Sequence, residues 1–109
     1  SGRSTHQDRL ETIRTSWENS GIMVDPHTAD GVKVARELTA DGTVTTPIIC
    51  LETALPVKFA DTIQEATGRL PDTPERFQGI EDLPRHVVDV PDDTQAVKDI
   101  IVNTLTPQE

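Results

Sequence analysis

The chain has no tyrosine, two phenylalanines and one tryptophan, so aromatics make up 3 % of its 109 residues and hydrophobic residues as a whole 34 %. A domain of this length can bury a core, but one so poor in rings is thin for a self-sufficient globule. Part of the apolar surface is therefore expected to find its partner on something outside this chain. Basic residues are also scarce: ten Lys and Arg face nineteen Asp and Glu, for a net charge of −9. Neutralising nucleic-acid phosphates takes clustered cations, and no basic stripe exists, which excludes nucleic acid as a partner. No apolar run approaches the roughly 18 residues that a membrane span needs, and none near the start resembles a signal peptide, so the expectation is a cytoplasmic protein without a membrane partner.

The single cysteine, Cys50, cannot close an internal disulfide, and its apolar surroundings suit a small core residue better than a reactive thiol. His6, His27 and His86 stand far apart and have no helical pairing with one another or with Cys50, so no metal site is expected. A glycine-rich phosphate loop, internal repeats and low-complexity runs are absent as well.

What the chain does have is one uninterrupted apolar run, Ile48-Ile49-Cys50-Leu51. It is too short for a helix and lacks alternation, the pattern of a strand covered on both faces. Pro56 suits the first turn of a helix, so the chain is expected to turn at Thr53-Ala54-Leu55 and enter a helix carrying Phe59 and Ile63. Thr53 then sits at the carboxyl end of a strand, where α/β sheets bind ligands. Two roles are open to it: capping the helix, or meeting a ligand with a small hydroxyl.

Before this stretch, Ser4 or Thr5 can cap a helix with Leu10, Ile13 and Trp17 on one face, ended by Gly21. Asp25-Pro26 signals entry to a second helix, with Gly31, Val34, Ala35 and Leu38 on its packing face and Gly31 admitting another backbone. After it, Gly68 caps the third helix, Thr73-Pro74-Glu75 opens a short fourth, and His86–Val90 reads as a second strand. Asp92 and Gln95 form a capping box for a last helix whose inner face is Val97, Ile100, Ile101 and Leu105. The expected fold class is α/β, with helices packed on a short sheet of about two strands. Residues 1–3 are a remnant of expression or a disordered start, 4–105 form a single α/β domain, and 106–109 form a frayed tail. Two strands are barely stable alone, so the fragment is expected to show an apolar patch or to self-associate.

Two blocks carry a family resemblance. Thr53-Ala54-Leu55-Pro56-Val57-Lys58-Phe59 resembles the threonine-alanine-histidine-proline-alanine-lysine-phenylalanine signature near the C-terminus of threonine synthases, with Leu55 in place of the usual histidine and Val57 in place of alanine. Asp25-Pro26-His27-Thr28-Ala29-Asp30-Gly31 is similar to that family's aspartate-x-histidine-threonine-alanine segment, and the likeness continues through Glu65-Ala66-Thr67-Gly68 and Leu83-Pro84. The resemblance implies the C-terminal domain of a fold-type II pyridoxal-phosphate enzyme, a carbon-oxygen lyase acting on phosphates. It implies that the full-length enzyme turns O-phospho-L-homoserine and water into L-threonine and phosphate.

It further implies that Thr53 binds the cofactor through its pyridine nitrogen and that His27, Thr28 and Lys58 lie near the active site. No catalytic residue is expected in this chain, because the family's Schiff-base lysine belongs far upstream. Lys33, Lys58 and Lys98 are therefore not candidates for it, and the missing N-terminal part of the same protein is the implied partner. Read without the resemblance, His27 is either a histidine near an anion at a helix N-terminus or one that helps cap the turn. The rival reading of the whole is a free-standing acidic α/β interaction module without catalytic activity.

Overall fold

The computed structural model describes residues 1–105, and every regular element among them is helical. In order these are α1 (His6–Ser20), α2 (Pro26–Ala40), a 3-10 turn at Pro56–Phe59, α3 (Ala60–Thr67), 3-10 turns at Glu75–Phe77 and Ile80–Asp82, and α4 (Thr94–Leu105). They fall into two units, Ser1–Gln78 and Gly79–Glu109. The tail predicted for 106–109 lies outside the described residues.

The α/β expectation is overturned, because no strand occurs among the described residues. Ile48–Leu51 is irregular rather than a buried strand, with Ile49 85 % and Leu51 78 % exposed. His86–Val90 is likewise irregular and exposed. Apolar and β-branched residues favour extended backbone, but a sheet also needs a second chain about 4.8 Å away to take up its N–H and C=O groups. The described residues bring none alongside either stretch. Cys50 is accordingly half-buried instead of sealed in a core.

The core of the first unit is built by three helices. Leu10 and Ile13 of α1 meet Ala29 of α2 and Ile63 and Ala66 of α3, with Met23 and Val24 packed against them. Ile13 and Ile63 are fully enclosed. Of the two candidate caps for α1, Thr5 serves: its hydroxyl accepts from the Asp8 N–H at 3.2 Å while its own N–H donates to the Asp8 carboxylate at 2.8 Å. Arg9 clasps Asp30 of α2 with its Nη2 at 2.7 Å, and the Ser4 hydroxyl donates to the same carboxylate at 2.7 Å. On the other side, Arg14 Nε donates to the Ala66 carbonyl at 3.1 Å, satisfying a group that the end of α3 leaves open.

Two local expectations shift. The helix expected from Pro56 begins as one 3-10 turn and becomes α-helical only at Ala60, because Phe59 departs from helical geometry at φ −127°, ψ 41°. The packing face of α2 is its first turn, Pro26, Thr28 and Ala29, whereas Val34, Ala35 and Leu38 are half-buried and Gly31 is exposed with open space around it. Near the start of the chain Gly2 lies against Val34, where a Cβ would come within 2.6 Å of Cγ1.

In the second unit, the Asp93 carboxylate accepts from the Gln95 N–H at 3.0 Å and starts α4 one residue later than the expected box. The Gln95 side chain instead bonds Asp99 at 2.7 Å. Of the expected inner face of α4, Val97, Ile101 and Leu105 are 44 %, 53 % and 76 % exposed and Ile100 is half-buried.

Candidate active site

The entry to α2 gathers the polar groups that matter most. Asp25 is the N-cap and its side chain is wholly enclosed. One carboxylate oxygen accepts from the His27 N–H at 3.0 Å and from His27 Nδ1 at 2.9 Å. The other accepts from the Thr28 N–H at 3.3 Å and, in a very short contact, from the Thr28 hydroxyl. Burial alone pushes the Asp25 pKa up, but the hydrogen bonds from Thr28 and His27 outweigh it and hold the group below its ordinary value. It is therefore a carboxylate at neutral pH. A carboxylate can only accept, so a His27 proton sits on Nδ1, and Asp25 leaves Nε2 unengaged. The His27 side chain is 61 % exposed.

The second block reaches this cluster through one residue. The Phe59 ring stands edge-on to the His27 ring, with centroids 5.0 Å apart and planes at 66°. The two sequence blocks thus converge at His27 and Phe59. Thr28 belongs to the cluster but is buried against Asp25, its hydroxyl already used. Thr53 and Lys58 are exposed, and among the described residues no hydrogen bond or ion pair joins either one to the cluster.

Thr53 is free in a specific sense. The turn that starts at Pro56 is preceded by Leu55 and has no side-chain cap, so the Thr53 hydroxyl is not used to cap it. Lys33 is tied to Glu37 at 2.8 Å and to the Arg3 carbonyl at 2.7 Å. The bond to Glu37 raises its pKa, the opposite of what an amine nucleophile requires. Among the described residues no group of three or more His, Cys, Asp or Glu is placed to hold a metal ion, and no helix is long and apolar enough to cross a membrane.

Among the hollows of the first unit, two adjoin the chain around Cys50 and Leu55, and neither is lined by His27 or Thr53. One, of about 710 Å³, runs beside α2 past Ala35, Arg36 and Thr39 to Ile48 and Cys50. The other, of about 250 Å³, lies between Trp17, Met23, Leu55 and Leu70. Sequence reasoning identified Asp25 as a cap and missed it as the partner of the His27 ring. The signal was there in the two-residue spacing of Asp25 and His27 across a proline, which returns the imidazole to the capping carboxylate.

Comparison with known proteins decides the family. A family model described as the C-terminal region of threonine synthase matches residues 28–101, well over half of the chain. The chain belongs to the threonine synthase family. It is 58 % identical over 105 residues to the threonine synthase of Corynebacterium glutamicum, covering 96 % of this chain and 21 % of that protein. It is 44 % identical over 102 residues to the threonine synthase of Methylobacillus glycogenes, again covering 21 % of that protein. Among solved structures it matches a PLP-bound threonine synthase from Brucella melitensis with a TM-score of 0.75 and 31 % identity, over 94 % of this chain and 21 % of that one. The chain therefore spans about a fifth of the length of these threonine synthases. The family model's span includes Thr28 and the whole Thr53–Phe59 block, and it begins just after Asp25 and His27.

Proposed function

We propose that this chain is the C-terminal region of a pyridoxal-phosphate-dependent threonine synthase. The full-length enzyme converts O-phospho-L-homoserine and water into L-threonine and phosphate. The observation that carries the reading is the convergence of the two family blocks at His27 and Phe59, beside a stretch whose Thr53 hydroxyl is exposed and uncommitted.

The donor set suits part of the cofactor. A free hydroxyl can make one hydrogen bond to a pyridine nitrogen, and it does so without stabilising a protonated ring as a carboxylate would. No phosphate-cradling glycine loop or activated lysine accompanies it among the described residues, so the remaining contacts fall to the rest of the enzyme, the N-terminal part that is this region's partner. When bound, pyridoxal phosphate supplies the electron sink for breaking C–H bonds of the substrate. The role of this chain is to present Thr53 to the ring and to bring His27 and Lys58 near the site, with Thr28 buried as a support for Asp25. The reading goes with a cytoplasmic enzyme that has neither nucleic-acid nor membrane partners.

The test is phosphate release from O-phospho-L-homoserine by the full-length protein that carries this sequence, with L-threonine identified as co-product. Equal rates of both products, dependent on added pyridoxal phosphate, support the proposal. A folded, cofactor-loaded protein that releases no phosphate refutes it.

A further inference from the structure

The start of α2 is built as a histidine held on a buried carboxylate, and nothing in the fold of the helix requires that. An aspartate N-cap fulfils its structural duty by accepting from the backbone N–H groups of the first turn, and Asp25 does so with His27 and Thr28. It goes further and accepts from the His27 ring at 2.9 Å, while the ring is fixed from a second side by Phe59 at 5.0 Å. The imidazole is therefore restrained in both tautomer and direction although its side chain is 61 % exposed. The same geometry argues against a simple anion seat, because the N–H groups of residues 27 and 28 are already used by Asp25 and a second carboxylate, Asp30, lies one turn on.

From this arrangement we infer that His27 carries a proton through Nε2 in the reaction, with Asp25 as the residue that positions it. The inference rests on the threonine synthase reading above. In the net conversion the substrate's Cγ–O bond to phosphate breaks, one C–H bond breaks at Cβ and one forms at Cγ, and water gives its hydroxyl to Cβ and its remaining proton to the released phosphate. Nε2 takes that proton, becoming an imidazolium balanced by the Asp25 carboxylate, and returns it to the phosphate oxygen, so the ring ends as it began. The charged groups around the ring are Asp25 beneath it, Asp30 in the next turn, itself neutralised by Arg9 at 2.7 Å, and Lys58 on the turn that bears Phe59.

The test uses the full-length enzyme as wild type, His27→Gln and Asp25→Asn, together with nitrogen NMR of the imidazole in the present chain. In the wild type the Nδ1 resonance should be of the protonated type and Nε2 of the lone-pair type, and Asp25→Asn should mix the two tautomers. His27→Gln should fold and load pyridoxal phosphate normally, lose kcat by roughly a hundred- to ten-thousandfold, and lose the limb of the kcat–pH profile that reports the imidazole. Asp25→Asn should keep that limb but displace it. If wild-type enzyme turns over and His27→Gln keeps both its kcat and its pH profile, the proton-carrying role is overturned while the threonine synthase reading stands. An inactive wild type, loaded and folded, removes that reading instead. A His27 ring found protonated at Nε2 and bare at Nδ1 also overturns the proposal.

Discussion

Asp25 is a single residue with two loads, since it closes the first turn of α2 and holds an imidazole. Replacing it by alanine leaves the N–H groups of His27 and Thr28 and the buried Thr28 hydroxyl without their acceptor. The expected cost is about 2 kcal/mol, the upper end for loss of a cap, and a denaturant midpoint measured at neutral pH checks it. The acid side follows from the depressed pKa of this group and of Asp30, where burial pushes up and the Arg9 and Ser4 hydrogen bonds pull down more strongly. A carboxyl whose folded pKa lies below its unfolded value of about 3.9 adds stability above that value and loses it as pH falls through the folded one. Urea midpoints should therefore be flat from pH 7 to 5 and drop below pH 4, with Asp25→Asn showing a shallower drop. At Thr53 the prediction concerns rate. Thr53→Val keeps the shape and removes a hydroxyl that caps nothing, so the full-length enzyme should fold and load its cofactor as before. Its kcat should fall by roughly ten- to a thousandfold, as for loss of one positioned polar contact. An unchanged kcat on the folded, loaded fraction would remove Thr53 from the site.

Among the elements, those with a local chemical signature were the ones legible in sequence. The helices α1, α2 and α3 were readable because Thr5, Asp25-Pro26 and Gly68 state their ends in short-range hydrogen bonding and backbone geometry. The two expected strands failed because a strand is completed by a neighbour, which no run of apolar residues can specify by itself. Gly31 was misread for a related reason: spacing put it on the apolar stripe of α2, yet the helix packs by its first turn and the glycine faces open space. That difference separates two glycine substitutions. Gly31→Ala replaces a flexible residue in a regular helix with no neighbour within 4 Å and should raise stability by about 0.5–1 kcal/mol. Gly68→Ala also meets no neighbour, but it must adopt φ +71° and should lower stability by about 1 kcal/mol. Thermal unfolding of both variants, followed by the fluorescence of Trp17, the lone tryptophan, which lies beneath Arg69 at 5.8 Å, checks the two signs.

On the scale of the molecule, the sparse aromatic content foresaw a chain that does not cover its own apolar surface. The family block was legible as sequence, whereas the meeting of its halves at His27 and Phe59 required the fold. The chain alone should show no turnover of O-phospho-L-homoserine with added cofactor, since the family's Schiff-base lysine is expected upstream and Lys33 is tied to Glu37, which raises its pKa. Its surface should betray the missing partner more directly. Ile49, Leu51, Val87, Val88, Ile101 and Leu105 are each more than half exposed, more apolar surface than a chain of this size normally leaves to water. A net charge of −9 opposes association at low ionic strength, and salt screens that repulsion while leaving the apolar attraction in place. The isolated chain should accordingly bind an apolar fluorescent dye at any salt concentration and self-associate as salt rises from about 0.01 to 1 M, a range over which the screening length falls about tenfold. Substituting Ile49 and Leu51 together by serine should weaken both effects. Light scattering that reports a dye-silent monomer at high protein and high salt would show that these residues are covered within the chain itself.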